Sequence, residues 1–422
     1  MFSSIFSVSD SNAPNFHPVS DRYKEDELFG ELSPKDTEWQ CASGFVTETQ
    51  VFYITTESGA SLMCQVIHSA TGMWSPTIQF VTKWYDPKTS PERVWKSCNV
   101  SKFVTPPPGL DKRSSKAEEY SITHKSNPGT EFPESYIIRG KPSDEIQIFL
   151  ELHRPAAIPG FKLGKGDQGG YSYFGTDTKK PEGYVVHRFW PRLTASGHVI
   201  IRGKAETIKG TGMFAHAIQG MMPNRVASSW NFVDFQSDEH GGVSAIQMEF
   251  KTTPTHGSKE SKEGTIVNVG SLVIGGKLAC VTAQTIRPGD KPKDDAPLIS
   301  RAIHLNPVHD RDTTYEKPQN LEFRWAGPSI APGVSGALSA NLKVDVGDIA
   351  NPKGLIEKVD VLAEIPYVLK MTVNYVAGTK PYIYQWFNPA TLSITGPDEL
   401  VPGLSAGLEI PGHLYNEATF IS

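Results

Sequence analysis

The chain has 422 residues, of which 38% are hydrophobic and 21% charged, and its formal net charge is −5. Nucleic-acid binding needs a basic face, so this charge gives no reason to expect a nucleic-acid partner. The length allows a large core and favours two domains. The 37 glycines and 32 prolines predict many turns, and therefore many short strands rather than long helices.

Residues 1–36 are predicted to form a flexible polar leader with an apolar tip. Phe2, Ile5 and Phe6 follow the i, i+3, i+4 spacing of one helix edge. Two interpretations stay open for a tip of this length, a disordered end and a short membrane-touching helix. The leader also carries the chain's excess of acidic residues, which anionic lipid surfaces repel. Neither a signal peptide nor a membrane-spanning helix is predicted.

From residue 37 onward the pattern is that of β-structure, and the first series of strands runs to residue 224. It begins with the segment VFYITT, which is rich in aromatic and β-branched residues. Residues 112–133 are charged and rich in turn formers, so they predict a loop or a weak hairpin. The glycine-rich segment 164–170 predicts a hairpin tip; it lacks the Lys-Ser/Thr ending of a phosphate-binding loop.

A second series of strands runs over residues 225–422. Residues 288–312 are the least hydrophobic internal stretch and predict a long surface loop. One short helix is predicted near the C-terminus, with Pro366 at its first position and Gly378 at its end. The apolar stripe of this helix, wide enough to cover a barrel opening, would consist of Val368, Leu369, Val373 and Val376. Together the two series predict an all-β fold of two antiparallel lipocalin-like β-barrel domains in tandem, 37–224 and 225–422.

The cysteines give no sign of a disulfide framework or of a metal site. Cys41, Cys64, Cys98 and Cys280 show no CxxC pairing, and cysteine and histidine do not cluster. We therefore expect free thiols in a reducing compartment, and neither a metal nor another cofactor.

The segment 183–236 contains the candidate ligand site. Large apolar side chains alternate there with isolated polar ones, which is the composition of a pocket for a mostly apolar ligand. The candidate ligand-binding residues are His187, Phe189, Trp190, Phe214, His216, Gln219, Met221, Met222, Trp230, Asn231 and Phe232. Flexible methionines suit hydrocarbon chains of different length. The alternative is that these residues simply form core, because a cavity wall and a packed core look alike in sequence.

Several stretches match a known family and run in its order. They are DTEWQCASGFVTETQVFYITTESG, PGFKLGKGDQGGYSYFGTD, GYVVHRFWPR, GMFAHAIQGMMPNRVASSWNFVDFQ and VDVLAEIPYVLKMTVNYVAGTKPYIYQ with the ending EATFIS. By these stretches the chain resembles the fungal oxidative-stress survival factor family, which are ceramide-binding proteins with two lipocalin-like domains.

The resemblance implies non-enzymatic binding of ceramide and its transfer between endoplasmic reticulum and Golgi membranes, which would support survival under oxidative stress. It also implies a cytoplasmic protein that associates peripherally with those membranes, with the nucleus as a further location. Family members dock through an N-terminal amphipathic helix, and the short tip of this chain departs from that pattern.

Two other classes of function remain open at this level. A lipocalin-type enzyme, a pericyclase or a hydratase acting on a hydrophobic polyene, would use His187, Asp234 or Glu249 as its proton donor. No paired acids and no nucleophile–base arrangement support that alternative. The third class is an interaction scaffold without a ligand, with the long polar loops as its contact surface.

Overall fold

The computed structural model describes residues 14–23, 27–72, 75–89, 93–257, 263–364 and 380–421. Two large antiparallel sheets dominate it, and the predicted all-β, lipocalin-like fold is confirmed. The first sheet contains β1 (Phe16–His17), β2 (Phe29–Glu31), β3 (Phe45–Thr56), β4 (Ser61–Thr71), β5 (Thr77–Tyr85), β6 (Arg93–Asn99), β7 (Ser115–Lys116), β8 (Tyr120–Ser126), β9 (Glu134–Ser143), β10 (Ile146–Arg154), β11 (Phe161–Leu163), β12 (Tyr171–Phe174), β13 (Gly183–Ile201) and β14 (Lys204–Gln219).

The second sheet follows a short helix, α1 (Pro223–Val226). Its strands are β15 (Ala227–Ser237), β16 (Val243–Thr252), β17 (Ile266–Ile274), β18 (Lys277–Ile286), β19 (Ile299–Leu305), β22 (Asn320–Pro328), β23 (Ala337–Asp345), β24 (Leu355–Asp360), β25 (Tyr382–Thr395) and β26 (Leu408–Phe420). A separate pair is formed by β20 (Val308–His309) and β21 (Glu316–Lys317), and α2 (Val361–Glu364) follows β24. Short 3-10 helices lie at Val19–Asp21, Pro34–Thr37, Glu239–Gly241 and Leu404–Ala406.

The first sheet curls into a nearly closed barrel with the order β6-β5-β4-β3-β14-β13-β10-β9-β8-β7. Its two edges meet where Val104 and Lys116 exchange backbone hydrogen bonds of 2.8 and 3.0 Å. Apolar side chains fill the interior: Phe52 stacks on Phe214, with ring centroids 4.8 Å apart, and Trp190 packs beside both. The first barrel therefore has a solid core.

The second sheet curls in the same way, with the order β18-β17-β16-β15-β26-β25-β23-β22-β19. Thr282 Oγ1 donates to Ser300 Oγ at 3.0 Å where its two edges approach. Phe235, Trp325 and Trp386 are among the fully buried side chains of its interior. The core of the second barrel is solid as well.

The two barrels pack against each other through the outer faces of their strands. Successive residues of a strand point to opposite faces, so Val233 lies inside the second barrel while Phe232 faces the first. The ring of Phe232 packs on Tyr53 of β3 at 4.8 Å, and Tyr53 also contacts Tyr415 of β26 at 4.9 Å. The outer faces of β3 and β14 are thus covered, unlike those of an isolated barrel.

Part of the predicted flexible leader is packed. Its strand β1 pairs with β12 and β2 pairs with β11. Phe16, Val19 and Leu28 are buried. Burial of these apolar side chains stabilises the packed part of the leader, which the mostly polar composition of the leader did not predict. Phe2, Ile5 and Phe6 lie outside the described residues.

The packed leader also connects the two barrels. Asn15 Nδ2 donates to the carbonyl of Thr255 at 2.8 Å, and the backbone N–H of Gly257 donates to Asn15 Oδ1 at 3.1 Å. Phe16 packs between Phe174 of the first barrel and Phe250 of the second. Residues 14–23 therefore act as a strap across the junction.

We expect Asn15→Ala to lower the free energy of unfolding by about 1–2 kcal/mol, since it removes both inter-barrel hydrogen bonds of that side chain. Guanidinium denaturation of the full chain measures this. The matched control is Asn15→Asp, which keeps the acceptor for Gly257 and should lose less. An alanine variant as stable as the parent protein would show that the strap contributes nothing.

Residues 112–133 contain the hairpin that was one of the two predicted forms, since β7 pairs with β8. The predicted loop over residues 288–312 is wrong, because this segment includes β19 and β20. The cause is that β19 buries polar residues. Arg301 is only 6% exposed and donates to Asp294 Oδ1 at 3.0 Å. A hydropathy pattern therefore predicts that such a strand lies on the surface.

The predicted helix over 366–378 lies outside the described residues. Within the part of the chain that the structure describes, no helix is long and apolar enough to span a bilayer. All four cysteines are free thiols, as predicted.

Candidate functional site

A pocket of about 430 Å³ lies between the two barrels. One wall is the outer face of β3, β4, β13 and β14, and the other is formed by β15, β25 and β26 with α2 beside them. Volumes of about 300–1,000 Å³ are usual for small-molecule sites. This space lies outside the barrels, whose described interiors hold packed aromatic side chains.

The pocket is long because it runs along strand β3. Alternate residues of that strand line it from Phe45 to Tyr53, and eight residue steps along a strand span about 26 Å. Phe45 is 42% exposed and marks the mouth. Tyr53 lies at the inner end, where its ring meets Phe232 and Tyr415.

Its walls are mainly apolar. Val51 and Ile67 on the first barrel face Trp230 and Phe232 on the second, and Met221 with Met222 lies near the mouth. Ala215 and Ala217 line the same groove on β14. Because alanine side chains are small, the width of the groove in its middle depends on them.

His187 lines the pocket, and its neutral imidazole packs against aromatic rings. Its ring stacks on Phe189 at 6.1 Å and meets Trp230 edge-on at 5.8 Å. Burial lowers the pKa of His187 to about 4. No described group hydrogen-bonds its side chain. A neutral imidazole offers one donor and one acceptor to a ligand.

The inner end of the pocket is polar. Glu417 lines it, and its Oε1 accepts hydrogen bonds from Gln385 Nε2 at 2.5 Å and from the hydroxyl of Tyr415. Burial raises the pKa of Glu417, and the hydrogen bond from Tyr415 and the charge of Lys83 oppose that rise in part. Glu417 is half-buried, and the space that it faces is the pocket.

A cluster of hydrogen-bonded polar side chains lies at the junction of the two barrels, behind the inner end of the pocket. Arg192 of β13 donates to Gln236 Oε1 at 2.9 Å and pairs with Asp238 at 2.6 Å. Gln236 in turn donates to Asp234 Oδ1 at 2.6 Å. Burial raises the pKa of Asp234 to about 7, opposed by Gln236 and Arg192. This cluster, the strip from Arg192 to Asp234, connects the two barrels and does not line the pocket.

The structure brings six of the predicted site residues to the pocket and places five elsewhere. Those lining it are His187, Gln219, Met221, Met222, Trp230 and Phe232. Phe189 packs on Phe161 at the junction, Trp190 and Phe214 lie inside the first barrel, His216 is buried in the same barrel, and Asn231 lies inside the second. Direct ligand contact by any of them stays a prediction.

His216 belongs to a buried structural network. Its Nε2 lies 2.8 Å from Glu48 Oε1 and its Nδ1 lies 2.8 Å from the carbonyl of Asp36. The backbone N–H groups of Gln40 and Cys41 also donate to the Glu48 carboxylate, at 2.8 and 2.7 Å. This network fixes the end of the leader to the barrel wall and leaves His216 no free donor for a ligand.

The acids considered for an enzyme are not in the pocket. Glu249 accepts from Asn231 Nδ2 and Asn268 Nδ2, both at 2.9 Å, inside the second barrel. Asp234 lies behind the inner end, on the face of β15 opposite to Asn231. Across the described ranges no group of three or more His, Cys, Asp or Glu side chains is placed to hold a metal ion.

The sequence analysis did not identify the residues at the inner end of the pocket. These are Tyr53 on β3 and Glu417 and Thr419 on β26. The ending YNEATFIS carries one detectable signal. It places a single acid among uncharged residues of a strand that must close a barrel. Nothing in that segment reveals that it pairs with β15, which is nearly 200 residues earlier.

Comparisons with known proteins agree with the sequence resemblance. A model of the Svf1 family matches residues 2–422. The ceramide-binding protein svf1 of Schizosaccharomyces pombe is 34% identical over 408 residues, which cover 96% of this chain and 93% of that protein. The ceramide-binding protein svf1 of Aspergillus fumigatus is 30% identical, with 100% and 99% covered.

Solved structures share the two-barrel fold at low identity. The crystal structure of CghA superposes with a TM-score of 0.57 at 11% identity and covers 90% of this chain and 89% of that one. A putative AttH from Nitrosomonas europaea gives 0.53 at 11% identity, with 93% and 98% covered. These similarities concern the fold alone.

Proposed function

Because the chain belongs to the Svf1 family, we propose that it binds ceramide in the pocket between its two barrels and carries the lipid without converting it. The named relatives are ceramide-binding proteins. One observation supports the proposal most directly: a long, mainly apolar groove ends in a few polar side chains. A ceramide has the same composition, with two hydrocarbon chains and a head that carries one amide and two hydroxyls.

The dimensions of the groove suit a lipid chain. Its length along β3 is about 26 Å, whereas the hydrocarbon of one bilayer leaflet is about 15 Å deep. The mixed aliphatic, aromatic and thioether surface adapts to chains of different length. Hydrocarbon buried there leaves water, which is the main driving force for such binding.

The prediction of a non-enzymatic role is confirmed by the relatives, which are named for binding and not for a reaction. The proton donors that the sequence suggested for a pericyclase or hydratase are poorly placed or poorly suited to that role. Asp234 and Glu249 lie away from the pocket, and the lowered pKa of His187 makes its imidazole a poor proton donor near neutral pH.

Transfer of ceramide between endoplasmic reticulum and Golgi membranes is the cellular role that we propose with it, together with survival under oxidative stress. The protein would be cytoplasmic and touch these membranes transiently. The family resemblance supports this role. The exposed Phe45 at the mouth offers an apolar contact where lipid would enter.

Lipid co-purification tests the proposed binding. The full chain is isolated from fungal cells without detergent, and bound lipids are extracted and identified by mass spectrometry. We expect ceramide in near-stoichiometric amount. A protein that carries no sphingolipid, and gains none from ceramide-containing vesicles, would overturn the proposal. Turnover of a polyene substrate would favour the enzyme instead.

Trp230→Ala should weaken ceramide retention about tenfold while the fold survives. Trp230 is half-buried and forms pocket wall beside His187, and burying an aromatic side chain against ligand contributes about 1.5–3 kcal/mol. Extraction of ceramide from vesicles measures the loss. Phe149→Ala is the matched control, because Phe149 packs on Arg139 and His198 away from the pocket. Equal retention by both variants would exclude Trp230 from the site.

A further inference from the structure

We propose that ceramide enters the pocket head first, and that Glu417 at the inner end is the residue that selects a small, uncharged head group. This inference rests on the proposed function and adds an orientation and a specificity to it. It is carried by the polar groups at the inner end and by the closure of that end.

Glu417 has one carboxyl oxygen committed and one left for a ligand. Oε1 accepts from Gln385 and Tyr415, whereas no described residue hydrogen-bonds Oε2. When Glu417 is protonated, the proton belongs on Oε2, because Oε1 already faces two donors. Oε2 can then donate to an amide carbonyl, and when ionised it accepts from an amide N–H or a hydroxyl. Both states therefore match the ceramide head.

Two further polar side chains line the pocket near Glu417. The hydroxyl of Tyr53 has no hydrogen-bond partner within the described ranges, and burial raises the pKa of Tyr53 well above its usual range, so the phenol is neutral. Thr419 is two residues along β26 from Glu417 and faces the pocket with it. Tyr53, Glu417 and Thr419 thus offer groups for one amide and two hydroxyls, which would be costly to bury unpaired.

The inner end is closed by contacts between the barrels. Tyr53 meets Tyr415 there at 4.9 Å, and farther along the junction Tyr85 meets Phe387 at 6.3 Å. The strip from Arg192 to Asp234 lies on the same junction. A head that reaches this end must therefore be small, and a phosphocholine group cannot be accommodated.

The inner end also disfavours a negative head group. A phosphate would be removed from water and placed beside the acidic side chain of Glu417, and Asp234 lies nearby. Two cations near this end do not line the pocket: Lys83 donates to Gln385 and lies 4.0 Å over the ring of Trp95, and Arg192 is paired with Asp238.

The mouth carries large apolar side chains, which suit the ends of hydrocarbon chains. Phe45, Met222, Leu362 and Pro381 line it beside the polar residues Thr47, Ser69, Thr71, Gln219 and Asn224. A ligand bound head outward would leave Oε2 of Glu417 and the hydroxyl of Tyr53 facing hydrocarbon. Since unpaired buried polar groups are costly, the head-inward orientation is favoured.

The first experiment uses the unmodified full chain and three lipids with the same acyl chain: ceramide, sphingomyelin and ceramide 1-phosphate. Each is presented in phosphatidylcholine vesicles, and lipid recovered with soluble protein is quantified by mass spectrometry. We expect ceramide to be extracted at least tenfold better than either of the others. Equal extraction of sphingomyelin would overturn the orientation, since an outward head could be of any size.

The second experiment compares E417L, E417Q and the control E409Q, whose glutamate is exposed on the same strand. We expect about a tenfold loss of ceramide extraction for E417L, a loss of threefold or less for E417Q, which still hydrogen-bonds, and none for E409Q. Unchanged extraction by both Glu417 variants would overturn the inference and leave ceramide binding intact. Failure of the unmodified chain to extract any ceramide would instead refute the proposed function. If E417L does not fold, E417Q and the three-lipid comparison still decide.

Discussion

Ala217→Trp is expected to abolish ceramide retention and leave the protein folded. Ala217 lines the middle of the groove on β14, where it is paired with His187 on one side and Thr49 on the other. An indole projecting from this position occupies the path of the hydrocarbon chains. Because it fills existing space instead of displacing packed core, stability should be unchanged or slightly higher.

Ceramide extraction from vesicles and thermal unfolding, measured on the same preparation, check this result. The matched control is Ala205→Trp, since Ala205 lies on the same strand at its exposed end. We expect less than a tenth of the parent ceramide for the first variant and the full amount for the control. Parent-like retention by Ala217→Trp would place the ligand elsewhere, and the inter-barrel pocket would lose its assignment.

The second large effect is on stability. Glu48→Ala should lower the free energy of unfolding by about 3–5 kcal/mol at pH 7, because it removes the carboxylate that pairs with Nε2 of the buried His216. The N–H groups of Gln40 and Cys41 lose their acceptor as well. For a barrel of this size the melting temperature should fall by roughly 10 °C. Glu57→Ala is the control, since Glu57 pairs with Lys209 only at the surface.

The loss should depend on pH in a defined direction. Burial alone would raise the pKa of Glu48, but the hydrogen bond and charge of His216 and the two backbone donors outweigh it and hold that pKa below its usual value. A group of this kind contributes stability above its unfolded pKa, about 4.3, and loses it as the pH falls through the folded value.

Denaturation at several pH values tests this dependence. The difference between parent protein and Glu48→Ala should therefore be greatest near neutral pH and shrink progressively below pH 4. A difference that is small at pH 7, or that grows in acid, would contradict the assignment of Glu48 and His216 as a stabilising buried pair.

The predicted segment contributes six residues to the lining of the inter-barrel pocket, but the sequence could not say which of its residues face that pocket. Met221, Met222, Trp230 and Phe232 line it, whereas Trp190 and Phe214 are core. In an isolated barrel the outer face of each strand is polar, and alternation separates inside from outside. Here the second barrel covers the outer faces of β13 and β14, so both sides of these strands are apolar and the alternation is lost.

The polar end of the pocket shows a different limit. Glu417 comes within reach of Tyr53 only because β26 pairs with β15 and the barrels then pack face to face. These contacts join residues that are hundreds of positions apart, and no local pattern encodes them. Glu48, the buried partner of His216, was hidden for the same reason.

By itself the sequence determined the all-β class, the two series of strands and the apolar composition of the segment near the middle of the chain. These follow from local physics: turn formers punctuate short strands, and aromatic and β-branched side chains favour the sheet. Tertiary structure alone decided that packed aromatic cores occupy the described interiors of both barrels and that a pocket opens between them. The pocket forms where the curved outer surfaces of the two barrels meet. Its shape depends on how these surfaces pack, and the sequence pattern of neither series of strands determines it.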